Sequence, residues 1–155
     1  MDRAASLRLA RTIALAVPLL LLGGAYLSEY AFGLVPCEMC WWQRYAHFAA
    51  LPFAALAYVR RDSAVPAALA ALAIAGSAVI GAFHTGVEYH WWQGLTACTA
   101  PTGSLEDLFK VPIVRCDAVQ WSLLGISMAG WNFLISLAAV LAVWLLLLRG
   151  RKGAV

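Results

Sequence analysis

Four apolar runs limit what this chain can fold into. Ile13–Phe32, Trp41–Val59, Val65–Phe83 and Met128–Leu148 are each close to twenty residues, and only short polar stretches separate the first three. A helix of roughly 20 mostly apolar residues crosses a hydrocarbon core about 30 Å thick. The expected fold class is therefore an all-α membrane protein, a four-helix transmembrane bundle forming one domain over 1–155. Its spans fall at about 13–32, 41–59, 65–83 and 128–148, with outer loops at 33–40 and 84–127. Composition agrees, since 63% of residues are hydrophobic and 12% charged, where soluble domains carry about 25% charged residues. A net charge of +3 with no interleaving of basic and aromatic residues argues against nucleic-acid binding.

Charge sets the expected orientation. Eight of the eleven Lys and Arg residues lie in the N-terminal segment, at Arg60–Arg61 and in the C-terminal tail, and an excess of basic residues marks the cytoplasmic side. Both termini are expected there, which puts all four cysteines outside. Arg3, Arg8 and Arg11 before the first run also resemble the start of a secretory signal. The run is long and lacks a polar region before a cleavage site, so it reads as an uncleaved anchor. Ala46, Ala50 and Ala54, and Ala73, Ser77 and Gly81, form small-residue stripes suited to an antiparallel helix pair. Trp41, Trp42 and Tyr45 suit an interfacial aromatic belt, and Pro52 is placed to kink the second run. In the second outer loop Ser104-Leu105-Glu106-Asp107 resembles a capping box. With Leu105, Leu108 and Phe109 on one side, it predicts a short helix on the membrane surface.

The chemistry resides in the cysteines. Cys37 and Cys40 form a Cys-x-x-Cys pair, a spacing that closes a small disulfide and exchanges rapidly when a thiolate is favoured. Arg44 follows Cys40 by four residues, so a helix starting near Trp41 places the two on one face, about 6 Å apart along the axis. Cys98 and Cys116 supply a second pair, and two pairs in so small a chain point to an oxidising compartment. A structural disulfide and a zinc site remain alternatives, although 17 residues between Cys98 and Cys116 exceed the usual ligand spacing. A metal-transport protein handing soft ions between thiols is a third, but it needs thiols along its path, and the interiors of the runs contain none.

Pro36-Cys37-Glu38-Met39-Cys40 with Gln43-Arg44-Tyr45, a second cysteine pair in the second outer loop, and Val114-Arg115-Cys116-Asp117 followed by Trp121 to Met128 together resemble the disulfide bond formation protein B (DsbB) family. The resemblance covers all four runs and both outer loops. It implies an inner-membrane thiol:quinone oxidoreductase with ubiquinone or menaquinone as cofactor and a periplasmic, thioredoxin-fold DsbA-like oxidase as partner. By the same resemblance the partner attacks a Cys98–Cys116 disulfide at Cys98, Cys116 then attacks Cys37, and Cys40 is left as a thiolate facing the quinone. Arg44 is expected to steady that thiolate and a reduced quinone oxygen. His90 resembles a family position near the quinone, and Gln43, which stands where some relatives carry an acidic residue, is expected with Arg44 and His90 among the quinone-binding residues. His47 reads as packing between helices and His84 as interfacial. Vitamin K epoxide reductase-like proteins also join thiols to a quinone, but there the loop cysteines precede the membrane Cys-x-x-Cys, the reverse of the order here.

Overall fold

The structure, a computed structural model, describes residues 2–95 and 114–152. Cys98 and the surface helix expected at 104–109 lie outside the described residues. The elements are helices α1 (Arg3–Phe32), α2 (Glu38–Val59) and α3 (Val65–Glu88), strands β1 (Ser122–Leu123) and β2 (Ile126–Ser127), and helix α4 (Met128–Lys152). α3 packs on α2 and α4, and α1 packs on α4 and α2.

Helix ends differ from the apolar runs because caps, not hydropathy, decide where a helix starts and stops. α1 begins at Arg3 rather than Ile13, since the Asp2 carboxylate accepts the Ala5 N–H at 2.6 Å. It stops at Gly33, whose φ of 68° lets its own N–H reach the Glu29 carbonyl while Leu34 N–H reaches Ser28. α2 begins at Glu38 rather than Trp41, capped by Cys37. α3 runs on to Glu88, past the expected Phe83.

Among the described residues, three helices are long and apolar enough to cross a membrane: Arg3–Phe32, Val65–Glu88 and Met128–Gly150. α2 has the length, 22 residues, or about 33 Å at 1.5 Å per residue. Its apolar stretch is diluted by Gln43, Arg44 and His47, all of which are buried against neighbouring helices.

The outer loop read as 84–127 holds more structure than its sequence suggested. β1 pairs antiparallel with β2, with Leu123 opposite Ile126. Leu124 and Gly125 turn between them with φ of 54° and 77°, the doubly left-handed geometry of a type I′ hairpin. The Tyr89 hydroxyl pins the turn to the end of α3, donating to the Gly125 carbonyl at 2.6 Å and accepting the Ser127 N–H at 3.1 Å.

The three basic segments meet at one end of the bundle. Arg11 donates to the carbonyls of Ala57 and Arg61 at 3.3 and 3.2 Å, and Gly150 lies against Ser6 and Arg3. Cys37, Cys40 and Cys116 lie at the other end. Between the two ends the core is made of small side chains, with Ala10, Ala14, Ala54, Ala57, Ala67, Ala70 and Ala71 all inaccessible to solvent. Such residues let helices approach closely. Extra volume therefore has nowhere to go, and Ala70→Leu is expected to destabilise the bundle by about 2 kcal/mol, read as a lower unfolding midpoint in detergent.

Candidate active site

The Cys-x-x-Cys spacing becomes a helix-capping geometry. Cys37 is the N-cap of α2 and Cys40 its third residue, so the Cys40 N–H donates to Cys37 Sγ at 3.4 Å and the Cys37 thiol donates to Cys40 Sγ at 3.1 Å. Both sulfurs sit where a helix's free N–H groups favour negative charge. The Cys37 thiol points its proton at Cys40 Sγ, a hydrogen bond that favours charge on the accepting sulfur. Hydrogen bonding with Cys116, then with Cys40, and then burial push the Cys37 thiol up. The hydrogen bond and the helix terminus thus favour negative charge on Cys40, the more exposed sulfur.

Cys116 arrives from the second loop. An ion pair brackets it: Arg115 holds Asp117 through two contacts at 2.8 and 2.7 Å and keeps that carboxyl at about 2. Gln120 Nε2 donates to the Val35 carbonyl at 3.0 Å, tying the second loop to the first. Cys37, Met39, Val87 and Cys116 then close into one buried cluster.

His84, expected at the interface, is instead 2% exposed and lies between the loops. Its Nε2 is 3.2 Å from the Cys116 carbonyl oxygen and 3.6 Å from Cys37 Sγ. The donor atoms of Cys37, His84 and Cys116 lie within 4.8 Å of one another, a set with the composition of a zinc site. The proton positions oppose that use. Gln43 Nε2 donates to the Met39 carbonyl at 3.1 Å and lies 3.0 Å from His84 Nδ1. A carbonyl only accepts, so this end of Gln43 is its NH2 group, Nδ1 is the acceptor and Nε2 bears the proton. A metal at Nε2 would require the opposite tautomer.

Gln43 is the hub of a wider network. Its Oε1 accepts from Asn132 Nδ2 at 2.8 Å, and the Asn132 amide is itself oriented by the Ser77 carbonyl at 3.4 Å. Asn132 Oδ1 takes the His47 Nε2 proton at 2.9 Å. His47 Nδ1 is buried with no partner among the described residues.

Arg44 has a carboxylate partner that the sequence reading did not provide. It pairs with Glu29 of α1 at 2.5 Å, donates to the Ala25 carbonyl at 3.2 Å, and lies 4.7 and 4.8 Å from the ring centroids of Tyr26 and Trp41. Its guanidinium is therefore directed at α1. Cys37, Cys40, Gln43, Arg44, His47 and His84 all line one cavity of about 500 Å³ between α1, α2 and the second loop. His90 is not among its lining residues. It is exposed just past α3 in a left-handed conformation, φ 58°. The family resemblance implied a place near the quinone, whereas the turn ending α3 leaves it exposed.

Residues 7–147 match the profile of the family described as disulfide bond formation protein DsbB. The chain belongs to the DsbB family. It is 34% identical to disulfide bond formation protein B of Verminephrobacter eiseniae over 95% of this chain and 89% of that protein. It is 33% identical to the protein of the same name from Acidovorax sp. strain JS42, over 95% and 90%, and 24% identical to the uncharacterized protein RP370 of Rickettsia prowazekii, over 87% and 84%. No solved structure matches. As a DsbB-family chain with three helices fit to cross a bilayer, it is a multi-pass membrane protein with a role in disulfide bond formation.

The residues that sequence reasoning overlooked were partly visible. Ser77, Gly81, His84 and Glu88 follow one another at helical spacing, so the stripe predicted to face α2 also carried His84. Nothing local links Glu29 to Arg44 or Asn132 to Gln43. Glu29→Ala leaves the Arg44 guanidinium buried without its carboxylate, and a loss of about 2 kcal/mol is expected. Glu29→Ala combined with Arg44→Met should recover most of it, as read from unfolding midpoints of the purified variants.

Proposed function

We propose that this protein is an inner-membrane thiol:quinone oxidoreductase that reoxidises a periplasmic DsbA-like dithiol oxidase. The observation that carries this reading is the meeting of Cys116 with the Cys37–Cys40 pair beside an apolar cavity, in a chain of the DsbB family. In this reading α2 is the fourth span, its polar residues satisfied inside the bundle. The basic end is cytoplasmic with both termini, and the cysteine end is periplasmic.

The electron route is the one the family resemblance implies, and the meeting of Cys116 with Cys37 supports its second step. Cys98 and Cys116 form the outer disulfide, and attack by the partner at Cys98 releases the Cys116 thiolate. Cys116 then attacks Cys37 of a Cys37–Cys40 disulfide. The Cys116–Cys37 bond forms, the Cys37–Cys40 bond breaks, and the electron pair leaves on Cys40, the sulfur on which the helix terminus and the Cys37 hydrogen bond favour negative charge.

The cavity suits ubiquinone or menaquinone in both size and lining. Leu20, Leu27 and Phe32 give it apolar walls and are themselves exposed on the flank of α1. Arg44 and His47 supply the polar contacts, and the unpartnered His47 Nδ1 matches a hydroxyl of the reduced form. When bound, the quinone supplies the two-electron oxidant that restores the Cys37–Cys40 disulfide. His90, placed outside the cavity lining, has no role in this reading.

Two measurements test it. Cys116→Ala should trap a mixed disulfide with a DsbA-like oxidase through Cys98, and trapping that instead requires Cys37 would reverse the proposed order. Arg44→Ala should raise the apparent KM for quinone at least about tenfold, equivalent to roughly 1.4 kcal/mol, while the outer pair still accepts electrons from the partner. Unchanged quinone kinetics would reduce Arg44 to a structural partner of Glu29.

A further inference from the structure

We infer that His84 is the hydrogen-bond donor to the leaving sulfur of Cys37 when a Cys37–Cys116 disulfide is opened, and that Gln43 and Asn132 hold its proton in place for that step. The inference rests on the proposed electron route for the Cys37–Cys116 disulfide that forms there, and for the attacking thiolate, which is Cys98 once the partner has left it.

The argument starts from protons. Two independent contacts put the His84 proton on Nε2. The Cys116 carbonyl, 3.2 Å from Nε2, can only accept, and the Gln43 NH2 group, 3.0 Å from Nδ1, can only donate. Gln43 cannot turn over, because the Met39 carbonyl takes its other proton and Asn132 donates to its oxygen. Asn132 is held in turn by the Ser77 carbonyl and hydroxyl at 3.4 and 3.1 Å. Every donor therefore points the same way, from His47 through Asn132, Gln43 and His84 to Cys37, and bonds aligned head to tail polarise one another. Glu88 Oε1, 4.0 Å from Nε2, is beyond hydrogen-bond distance and does not compete.

Two N–H groups thus converge on Cys37 Sγ, the backbone of Cys40 at 3.4 Å and His84 Nε2 at 3.6 Å. The same His84 proton meets Cys116 at its carbonyl and so holds the loop that carries the other sulfur. In the step itself a thiolate attacks Cys116 Sγ and bonds to it, the Cys116–Cys37 bond breaks, and the electron pair leaves on Cys37. No proton moves and no outside oxidant enters. A sulfur only 2% exposed leaves poorly as an anion unless donors face it, and His84 adds a side-chain N–H to the backbone N–H of Cys40.

The test uses the full-length protein carrying Cys40→Ser and Cys98→Ser, oxidised to the Cys37–Cys116 disulfide and opened with reduced glutathione. Mass spectrometry reads both the rate and the sulfur that carries glutathione. With His84 present, glutathione should be found on Cys116 and Cys37 should be the free thiol. His84→Phe should slow opening about tenfold and spread glutathione over both sulfurs. His84→Gln, whose side-chain amide can place an N–H near the position of Nε2, should stay within about threefold of the parent with Cys116 still favoured. Gln43→Met, which leaves His84 in place but releases its tautomer, should fall between them and covers the case in which His84→Phe does not fold. Parent-like rate and selectivity in His84→Phe, or in Gln43→Met if that variant alone folds, or a His84→Gln variant no better than His84→Phe, would overturn the inference. Neither quinone nor partner oxidase enters this assay, so its outcome is separate from that of the trapping experiment.

Discussion

Polar groups buried in an apolar bundle must satisfy one another, and in this protein that requirement converges on the Gln43 amide. Its four neighbours, the Met39 carbonyl, His84, Asn132 and, through the backbone, Ser77, belong to α2, α3 and α4. An unpaired polar group there would cost about 1–3 kcal/mol, so the network defines how the three helices meet as firmly as their small side chains do. Gly81 belongs to the same arrangement. A Cβ at that position would lie 3.0 Å from Asn132 Nδ2 and 3.2 Å from Gln43 Oε1, so any side chain there would press the two amides out of their present places.

The sulfurs divide their tasks because of where α2 begins. With Cys37 as N-cap and Cys40 in the first turn, the two are adjacent yet unlike. Cys37 is enclosed, facing Cys116 and His84, and Cys40 lies nearer solvent and receives the Cys37 thiol proton as an acceptor. Starting the helix at Trp41 would have left both in a loop, with no reason for either to differ from the other. Arg44 is also explained by the helix it occupies. One turn beyond Cys40, it turns to Glu29 and the aromatic faces of Tyr26 and Trp41, so its charge is compensated across the α1–α2 seam. A cation on an inner helix is stable there because a carboxylate is buried with it.

Sequence alone determined the membrane class, the existence and order of the helices though not their ends, and the gathering of basic segments at the end away from Cys37, Cys40 and Cys116. All three follow from composition, apolar length and charge, which are additive along the chain. It also singled out Cys37, Cys40, Cys98 and Cys116 as chemical residues from their paired spacing, and of these Cys98 lies outside the described residues. Only the tertiary structure decided which side chains face them. His84 meets the sulfurs because helical phase carries it inward, while the turn after α3 leaves His90 exposed. Glu29 and Asn132 reach Arg44 and Gln43 across 15 and 89 positions of sequence, and no local periodicity encodes contacts of that range. The hairpin at Ser122–Ser127 was equally hidden, since Leu124 stands where a type I′ turn usually has Asn, Asp or Gly, and Tyr89 secures it from a different element. A chain's own pattern fixes what each helix can be, and the pairing of its buried polar groups, which depends on neighbours distant in sequence, fixes what the site can do.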